Sequence, residues 1–303
     1  MSSQRRILFL GATACWLAAS PPASAETTYG LTAGNTTTLV RFDTGRVDSL
    51  DVVGAVSGIA DGMSLRAIDF RPADGLLYGV ATNGMQGQLY RIDVSNGVAT
   101  DVGRGFTFGA APGLAVSMDF DPVADRIRVV TTNGRNYQLL PTTGAVASID
   151  SRTTAALSDI AYSNNVPSAT QTMLYGYAFS TNELVTLPSP DVGGAFLVGA
   201  SGVTSVEAQY HGFDISQASG TAYMSLDASG TSSASSEFYT VDLNTGLHNP
   251  VGTLPVSLLD FAVAPPVPEP GSVAMLMAGL GFIGFVRRRR GADKVQHQNA
   301  SRR

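Results

Sequence analysis

Short apolar runs separated by turn residues organise the chain between positions 26 and 265. Each run is four to eight residues long, is rich in Val, Ile, Leu, Phe and Tyr, and is bounded by Gly, Asn, Asp or Pro. This pattern predicts strands joined by hairpins, and no helical period of apolar residues runs through the region. Turns such as DVSNG and DLNTG fit hairpins in which Gly supplies a positive φ. The sequence therefore predicts an all-β domain.

The runs recur as a repeated unit. Residues 65–103 and 115–150 share one order of features: an apolar run ending in Asp-Phe, a Pro-x-x-Asp turn, a run ending in Thr-Asn-Gly, and two further runs around a Gly turn. Residues 157–199 and 211–252 are weaker copies. Four strands repeated about every 45 residues are typical of the blade of a β-propeller.

The two ends of the repeat region are incomplete in complementary ways. Residues 27–54 contain the second, third and fourth runs of a unit, and residues near 258–264 contain only the first. Joined, they complete a fifth blade, so we expect residues 258–264 to pair with residues 29–34. Such closure removes free sheet edges. The alternative fold is an open array of β-sandwich units.

One segment carries a family resemblance. The stretch MDFDPVADRIRVVTTNGRNYQLLPTTGAV, residues 118–146, closely resembles the uncharacterised family of the domain of unknown function DUF4394. The resemblance extends over about residues 29–263. Members of that family are propeller-like and have no established activity, so the resemblance supports a propeller at 26–265, for which the repeats predict five blades, and implies no mechanism.

The N-terminal 25 residues have the composition of a secretory signal peptide. Arg5 and Arg6 precede an apolar run at 7–19, and the small residues Ala23-Ser24-Ala25 end the segment. This order predicts cleavage by signal peptidase after Ala25. A lipoprotein modified at Cys15 and a cytoplasmic protein with an apolar N-terminus are the alternatives. Because Cys15 is the only cysteine, the mature chain has neither disulfides nor thiolate metal sites.

Residues 266–290 combine a proline-flanked acid, a charge-free run at 272–286 and an arginine cluster. As a helix, the fifteen residues at 272–286 would be ~23 Å long, against ~30 Å of hydrocarbon in a bilayer. The run is therefore interpreted as a short transmembrane segment. GLGFIG at 279–284 lacks the preceding strand of a dinucleotide site. A basic tail at 291–303 would stay cytoplasmic. The three features are Pro268, Glu269 and Pro270, the run itself, and Arg287, Arg288, Arg289 and Arg290.

Together these features resemble the PEP-CTERM sorting signal. The resemblance implies that an exosortase recognises the Pro-Glu-Pro segment and removes the tail during export, and that the protein reaches the cell surface or the medium. Proteins with this signal are associated with extracellular polysaccharide and biofilm. The tail after the arginines departs from the usual pattern, and a permanent anchor is the alternative.

Charge narrows the set of partners. Residues 26–265 contain ten Arg, no Lys and 22 Asp plus Glu, which gives a formal net charge of −12, and residues 153–265 contain nine acidic residues without any Lys or Arg. Such a domain repels phosphate backbones, so we expect no nucleic-acid partner. Cations or cationic polymers suit it better, although acidic residues also simply keep an exported protein soluble.

Little in the sequence indicates catalysis. The mature domain has two histidines, His211 and His248, no G-x-S-x-G motif and no EF-hand loop. We therefore expect both histidines to be turn or packing residues, and no catalytic residue is assigned. The favoured function is an exported, non-enzymatic propeller that binds or scaffolds matrix components such as exopolysaccharide. The alternative is a secreted, cation-dependent hydrolase or lyase acting on a polysaccharide or a lactone.

Each predicted first strand carries one aspartate followed by an apolar residue. The apolar neighbours should pack between blades, because adjacent side chains on a strand point to opposite faces. The aspartates then either accept hydrogen bonds from the backbone of the next blade or face the channel as a ring that binds Ca²⁺, the only cofactor expected, if any. These residues are Asp69, Asp119, Asp159, Asp214 and Asp260, followed by Phe70, Phe120, Ile160, Ile215 and Phe261.

Overall fold

A computed structural model describes residues 25–34, 36–108, 115–203, 211–227 and 235–266. In these ranges twenty strands form five four-stranded antiparallel sheets, and one short 3₁₀ helix lies in a connection between strands. Four sheets follow chain order, and the fifth combines the first three strands with the last. The innermost strands contact one another in a closed cycle. The fold is therefore the predicted five-bladed β-propeller.

Blades A, B and C contain the first eleven strands and the last one. Blade A consists of β20 (Leu258–Val263), β1 (Thr27–Thr32), β2 (Thr38–Asp43) and β3 (Arg46–Ala55). Blade B consists of β4 (Ser64–Phe70), β5 (Leu77–Thr82), β6 (Gln86–Ile92) and β7 (Ala99–Thr107). Blade C consists of β8 (Val116–Asp121), β9 (Arg126–Thr131), β10 (Asn136–Leu139) and β11 (Val146–Ile149).

Blades D and E complete the ring. Blade D consists of β12 (Leu157–Tyr162), β13 (Leu174–Ala178), β14 (Glu183–Leu187) and β15 (Phe196–Ala200), and the 3₁₀ helix Pro190–Val192 joins its last two strands. Blade E consists of β16 (His211–Ile215), β17 (Ala222–Leu226), β18 (Ser236–Val241) and β19 (His248–Leu254). The inner strands follow the order β20, β4, β8, β12, β16 and back to β20.

The chain ends close the ring in one sheet. Strand β20 runs antiparallel to β1, with Val263 opposite Thr28 and Phe261 opposite Gly30. The predicted partner range, 29–34, lies two residues late, because the paired strand is Thr27–Thr32. A bulge between Leu31 and Thr32 adjusts the register at the far end. An open array of sandwich units is excluded by this pairing.

The core lies between the blades, where the apolar neighbours of the five aspartates pack as expected. Phe120 meets Tyr78 of the preceding blade edge-on, with ring centroids 5.4 Å apart. Phe70 packs against Tyr29 of blade A at 5.8 Å, and Phe261 against Phe238 of blade E at 5.2 Å. Ile160 and Ile215 join clusters that include residues of the preceding blades. Aromatic contacts of this kind add to the burial of ~150–250 Å² per ring.

Glycines on the outermost strands let each blade receive a turn of the next. A Cβ at Gly54 of β3 would lie 2.7 Å from the carbonyl oxygen of Asn96, in the β6–β7 turn. A Cβ at Gly103 or Gly199 would collide with a backbone carbonyl in the corresponding turn of the following blade. Side chains at these positions would hold the blades apart, so the recurring Val-Gly of the fourth run is a packing requirement.

The junction between blades C and D uses a buried arginine instead. In blade D the connection between β14 and β15 contains the 3₁₀ helix Pro190–Val192, and the buried Arg128 of β9 reaches it from blade C. Its guanidinium donates to Asp191 Oδ1 at 2.7 Å, to Asp150 Oδ2 at 3.0 Å and to the Tyr162 hydroxyl at 2.7 Å. A planar fork suits several acceptors at once. The ion pair between Arg128 and Asp191 connects the 3₁₀ helix of blade D to blade C.

Candidate functional site

The five aspartates all lie on innermost strands, one per blade, and all are buried. Their relative exposure ranges from 2% at Asp69 and Asp119 to 6% at Asp260. Buried carboxylates need hydrogen-bond donors or counter-charges, because an isolated charge in the protein interior is costly. The donors found here are mainly backbone N–H groups.

Asp69 and Asp214 bind the backbone in the same way. Each accepts one hydrogen bond from the residue that follows it, Phe70 N at 2.7 Å and Ile215 N at 2.6 Å. The second oxygen crosses to the next blade: Asp69 accepts from Phe120 N at 2.9 Å, and Asp214 accepts from Val263 N at 2.6 Å. A single side chain therefore fixes its own strand end and the neighbouring strand.

Two further junctions contain the same kind of hydrogen bond from an aspartate to the next blade. Asp260 accepts from Phe261 N at 2.9 Å and, across the junction, from Ile68 N at 2.8 Å. Asp119 accepts from Tyr162 N of blade D at 3.1 Å. Four of the five blade junctions thus contain a hydrogen bond from an aspartate to the backbone of the next blade. Of the two roles expected for these aspartates, a hydrogen bond to the backbone of the next blade is the one present at these four junctions.

The junction between blades D and E differs. Asp159 accepts from Ser158 Oγ at 2.7 Å and lies 3.6 Å from His211 Nδ1 of the next blade. Ser158 Oγ is itself 3.2 Å from the same nitrogen. A serine–histidine–aspartate relay requires the serine and the aspartate on opposite ring nitrogens. Here both face Nδ1 in the interior, so the three residues form an interblade contact rather than a nucleophile.

Three of the aspartates converge although their blades are not all neighbours. Carboxylate oxygens of Asp69, Asp119 and Asp214 all lie within 4.8 Å of one another. Burial raises the pKa of Asp214 to about 6. Burial first, and neighbouring carboxylates next, raise the pKa values of Asp69, Asp119 and Asp260 well above their usual range. We refer to Asp69, Asp119 and Asp214 as the axial cluster.

The axial cluster has the donor atoms of a site for a hard cation. Ca²⁺ takes six to eight oxygen ligands, and carboxylates are its usual protein ligands. The oxygens of Asp69 and Asp214 already accept backbone N–H groups but keep further lone pairs. Protons shared among the three carboxylates are the other way to reduce the repulsion. The sequence suggested the five-residue ring but not which three members would meet.

His248 is a buried residue whose surroundings the sequence did not reveal. Its ring lies between those of Tyr177 and Tyr239, with centroids 5.5 Å and 5.6 Å away. Neither ring nitrogen has a hydrogen-bond partner among the described residues. Burial, with a smaller contribution from His211, lowers the pKa of His248 to about 4. Both histidines are packing residues as expected, but they share Tyr177 as a neighbour.

The described acidic residues of the second half divide evenly between interior and surface. Asp159, Asp214, Asp227 and Asp260 are buried, whereas Asp191 and Glu237 are exposed and Glu183 and Asp242 are partly exposed. The outer strand β15 exposes two apolar side chains, Phe196 at 62% and Leu197 at 63%. The expectation that cations or cationic polymers suit this domain stays a prediction.

The targeting segments lie outside the described residues, with the exception of Ala25 and Pro266. The signal peptide with Ala23, the Pro-Glu-Pro motif, the run at 272–286 and the basic tail are therefore sequence features here. Among the described residues no helix is long and apolar enough to cross a membrane.

Family models match most of the chain. The model for DUF4394, a domain of unknown function, covers residues 38–262, and the model for the PEP-CTERM protein-sorting motif covers residues 266–290. No curated protein matches the chain.

Solved structures are similar to the chain only at very low identity. A nidogen/laminin complex chain is 8% identical, with 80% of this chain and 98% of that chain covered and a TM-score of 0.46. The glutaminyl cyclase of Myxococcus xanthus is 16% identical over 68% of this chain and 72% of its own, with a TM-score of 0.41. A Bacteroides thetaiotaomicron protein of unknown function is 13% identical over 68% and 55%, with a TM-score of 0.46. These likenesses carry no functional argument.

Proposed function

The chain belongs to the DUF4394 family, and we propose that its propeller binds an uncharged polysaccharide of the extracellular matrix without cleaving it. The PEP-CTERM motif marks the protein for exosortase processing and for sorting to the surface or the exterior. Binding of a matrix polymer is the proposed step beyond that. The outer surface of blade D indicates the chemical class of the ligand.

The observation that carries the proposal is the exposed apolar pair on β15. Phe196 and Leu197 lie on an outermost strand, and the strand sequence FLVGA has no charged residue. Sugar rings present apolar C–H faces that pack on apolar and aromatic side chains, whereas their hydroxyls need neutral hydrogen-bonding surroundings. The segment 153–265, which has no Lys or Arg, offers no counter-charge for an anionic polymer.

Neighbouring residues extend this apolar surface. Val192, in the 3₁₀ helix, and Ile149, at the end of β11, are both exposed. The two segments lie side by side, because Ser151 N donates to the carbonyl oxygen of Asp191 at 3.0 Å. Phe196 follows Ala195, whose N–H donates to Thr154 Oγ1 at 2.9 Å. Phe196 and Leu197 are adjacent and point to opposite faces of β15, so a polymer that meets both must lie along the free edge of this outermost strand.

Burial of the central carboxylates argues against the hydrolase alternative. A glycosidase needs two carboxyl groups that reach the sugar from opposite sides of the scissile bond. The five aspartates are at most 6% exposed, and four of them are engaged with the backbone of the next blade. These groups are placed to hold the ring together. For the axial cluster, Ca²⁺ bound as a structural ion is the cofactor we propose.

Retention on immobilised polysaccharides tests the binding function. We expect the exported domain to bind at least one neutral polymer more tightly than charged ones, and Phe196→Ser with Leu197→Ser to weaken that binding about tenfold, which corresponds to ~1.4 kcal/mol. Val52→Ser is the matched control, because Val52 is 68% exposed on the outermost strand of blade A. It should change binding less than about twofold.

Three outcomes contradict the proposal. Cleavage of a bound polymer supports the enzyme, a hydrolase where both new ends are saturated and a lyase where one of them is unsaturated. Equal binding by the double variant and the wild type removes blade D from the site. A concentration-dependent dimer that dissociates in the double variant, without polysaccharide binding, assigns the exposed pair to self-association instead.

A further inference from the structure

A groove on the outside of blade B lies beside the point where the chain leaves the propeller. It encloses about 420 Å³ between the β4–β5 turn and strands β6 and β7. Leu76 and Val98 form exposed apolar walls, and the exposed Arg91 contributes a positive charge. We call this feature the blade-B groove; its lining includes Gly75, Leu76, Leu77, Arg91, Ile92 and Val98.

The last described residues run onto this surface. A Cβ placed at Gly75, which lines the groove, would lie 3.6 Å from Cγ of Pro265. Ala264 packs against the core cluster that contains Leu77 and Ile92, two further lining residues. The chain has therefore reached the groove when the described part ends at position 266. The next residues are Val267, Pro268, Glu269 and Pro270.

Arg91 is a cation without an acidic residue opposite it. Its cross-strand neighbours in the sheet are Tyr78 and Thr100, and among the described residues it forms no ion pair. Arg41 holds the equivalent position in blade A, but it faces Asp51 and binds it at 2.7 Å. The exposed Asp93 also lines the groove, but its carboxylate is engaged by its own turn, where it accepts from Ser95 N at 2.8 Å and from Asn96 Nδ2 at 3.1 Å.

We propose that the Pro-Glu-Pro segment of the sorting motif docks in the blade-B groove, with Glu269 paired to Arg91. The proline rings would cover Leu76 and Val98. Glu269 is four positions after Pro265, and an extended chain of four steps reaches ~13 Å, enough to cross a cavity of this size. Each residue that precedes a proline is held extended, so less conformational freedom is lost on docking.

Docking would give the propeller a role in its own sorting. The motif that the exosortase reads would be held on the surface of a folded blade, and its release would precede processing. The tether favours this occupant over a free peptide, because a segment joined by a few residues has a millimolar effective concentration. A folded blade B is then a condition for presenting the motif in a defined place.

Thiol crosslinking of the full chain in detergent tests the docking. Cys15→Ser leaves a chain without cysteine, to which Asn96→Cys in the groove and Gly271→Cys directly after the motif are added. The matched control replaces Thr143, the equivalent turn residue of blade C, by cysteine together with Gly271→Cys. We expect a short thiol crosslinker to join the blade-B pair at least about fivefold more efficiently. Equal yields for the two pairs, or no product from the blade-B pair, overturn the proposal.

A charge reversal tests the ion pair itself. Arg91→Glu should lower the crosslink yield of the blade-B pair a few-fold, and adding Glu269→Arg should restore it. Arg41→Glu is the control and should leave the yield unchanged. An exposed ion pair changes an equilibrium only modestly, about two- to fivefold. A yield that does not respond to Arg91→Glu, or that is not restored by the double reversal, overturns the pairing of Glu269 with Arg91.

Discussion

Asp214 Oδ2 lies 2.6 Å from the backbone nitrogen of Val263, so the carboxylate of blade E holds the strand that closes the ring. The same carboxylate belongs to the axial cluster with Asp69 and Asp119. One residue therefore connects two properties of the domain, the closure of the propeller and the electrostatics of its axis. Substitutions at this position separate the two.

Replacing Asp214 by alanine should destabilise the domain by about 1–3 kcal/mol or more, because the N–H groups of Ile215 and Val263 lose their acceptor in the interior. Asp214→Asn keeps one acceptor oxygen and removes a buried charge, so it should cost less than alanine at neutral pH. Urea unfolding of the three proteins measures the difference. Equal losses for both variants would mean that the hydrogen bonds contribute little.

A chain that ends at Thr253 should lose most of its stability. It lacks β20, which leaves β1 without one neighbour and removes the acceptor that Asp260 offers to Ile68 N. The loss should reach several kcal/mol, a large part of the ~5–15 kcal/mol typical of a domain. Thermal unfolding of this chain and of one that ends at Pro266 makes the comparison. Equal melting temperatures would refute closure by β20.

The axial cluster should make stability depend on pH. Burial raises the pKa of Asp214 from 3.8 to about 6, so the folded state holds a proton that the unfolded state has lost between these values. This contribution is complete below pH 3.8 and is lost as the pH rises through 6, about 3 kcal/mol in all. The measurement is the free energy of unfolding as a function of pH, compared with Asp214→Asn, whose curve should lack this slope.

If the cluster binds Ca²⁺, the ion should replace the lost protons. Adding Ca²⁺ at about pH 7.5 should then raise the melting temperature with a saturable dose dependence, and much less at about pH 4.5, where protons compete. Asp119→Asn should blunt the response. A melting temperature that ignores Ca²⁺ while Asp119→Asn still destabilises the domain would leave the cluster a purely structural device.

His248 should affect the pH dependence of stability in the opposite direction to Asp214, because its pKa is lowered on folding. Its pKa falls from 6.5 to about 4 on folding, because its buried ring lies between Tyr177 and Tyr239 with His211 nearby. The stability contribution is therefore complete above pH 6.5 and is lost as the pH falls through 4, about 3 kcal/mol in all. His248→Phe keeps a ring in place and cannot titrate. Its advantage over the wild type should grow between pH 6.5 and 4, and a constant difference would contradict the assignment.

Export should leave a defined chain. We expect a mature N-terminus near Glu26 and loss of the residues after about Pro270 in a host that has an exosortase. Intact-mass analysis of the exported protein determines both ends. Recovery of a stable species that retains Arg287, Arg288, Arg289 and Arg290 would make the C-terminal segment an anchor. A strain without the exosortase is the control.

Much of the fold was predictable because turn residues and strand periodicity are local properties. The spacing of apolar runs predicted the blades, and the unit missing its first run predicted closure by residues near 258–264. The predicted partner range, 29–34, overlaps the paired residues Thr28 to Thr32, and its offset was not visible in the sequence because register depends on contacts across the sheet. The recurring Val-Gly was visible, but its reason lies in the turn of the following blade.

The site was less predictable because it depends on which blades face one another. The five aspartates stood out by position, yet nothing in the sequence indicated that Asp69, Asp119 and Asp214 would converge while Asp159 would meet His211. The interblade role of Arg128 was missed, since its partners Asp150 and Asp191 are 22 and 63 residues away. Charge counted along the chain also could not show which carboxylates are internal, such as Asp159, Asp214, Asp227 and Asp260, and which are exposed, such as Asp191 and Glu237.

Blade A combines the first three strands of the chain with the last one, so it can be completed only after the rest of the domain has been exported. A chain exported from its N-terminus delivers β1 to β19 first, and β20 (Leu258–Val263) emerges last, directly before the sorting motif at 266–290. Until then β1 presents an edge open to other strands. The final step of folding and the arrival of the motif at the processing machinery therefore coincide. A chain that ends before β20 would therefore lack both the strand that completes blade A and the sorting motif.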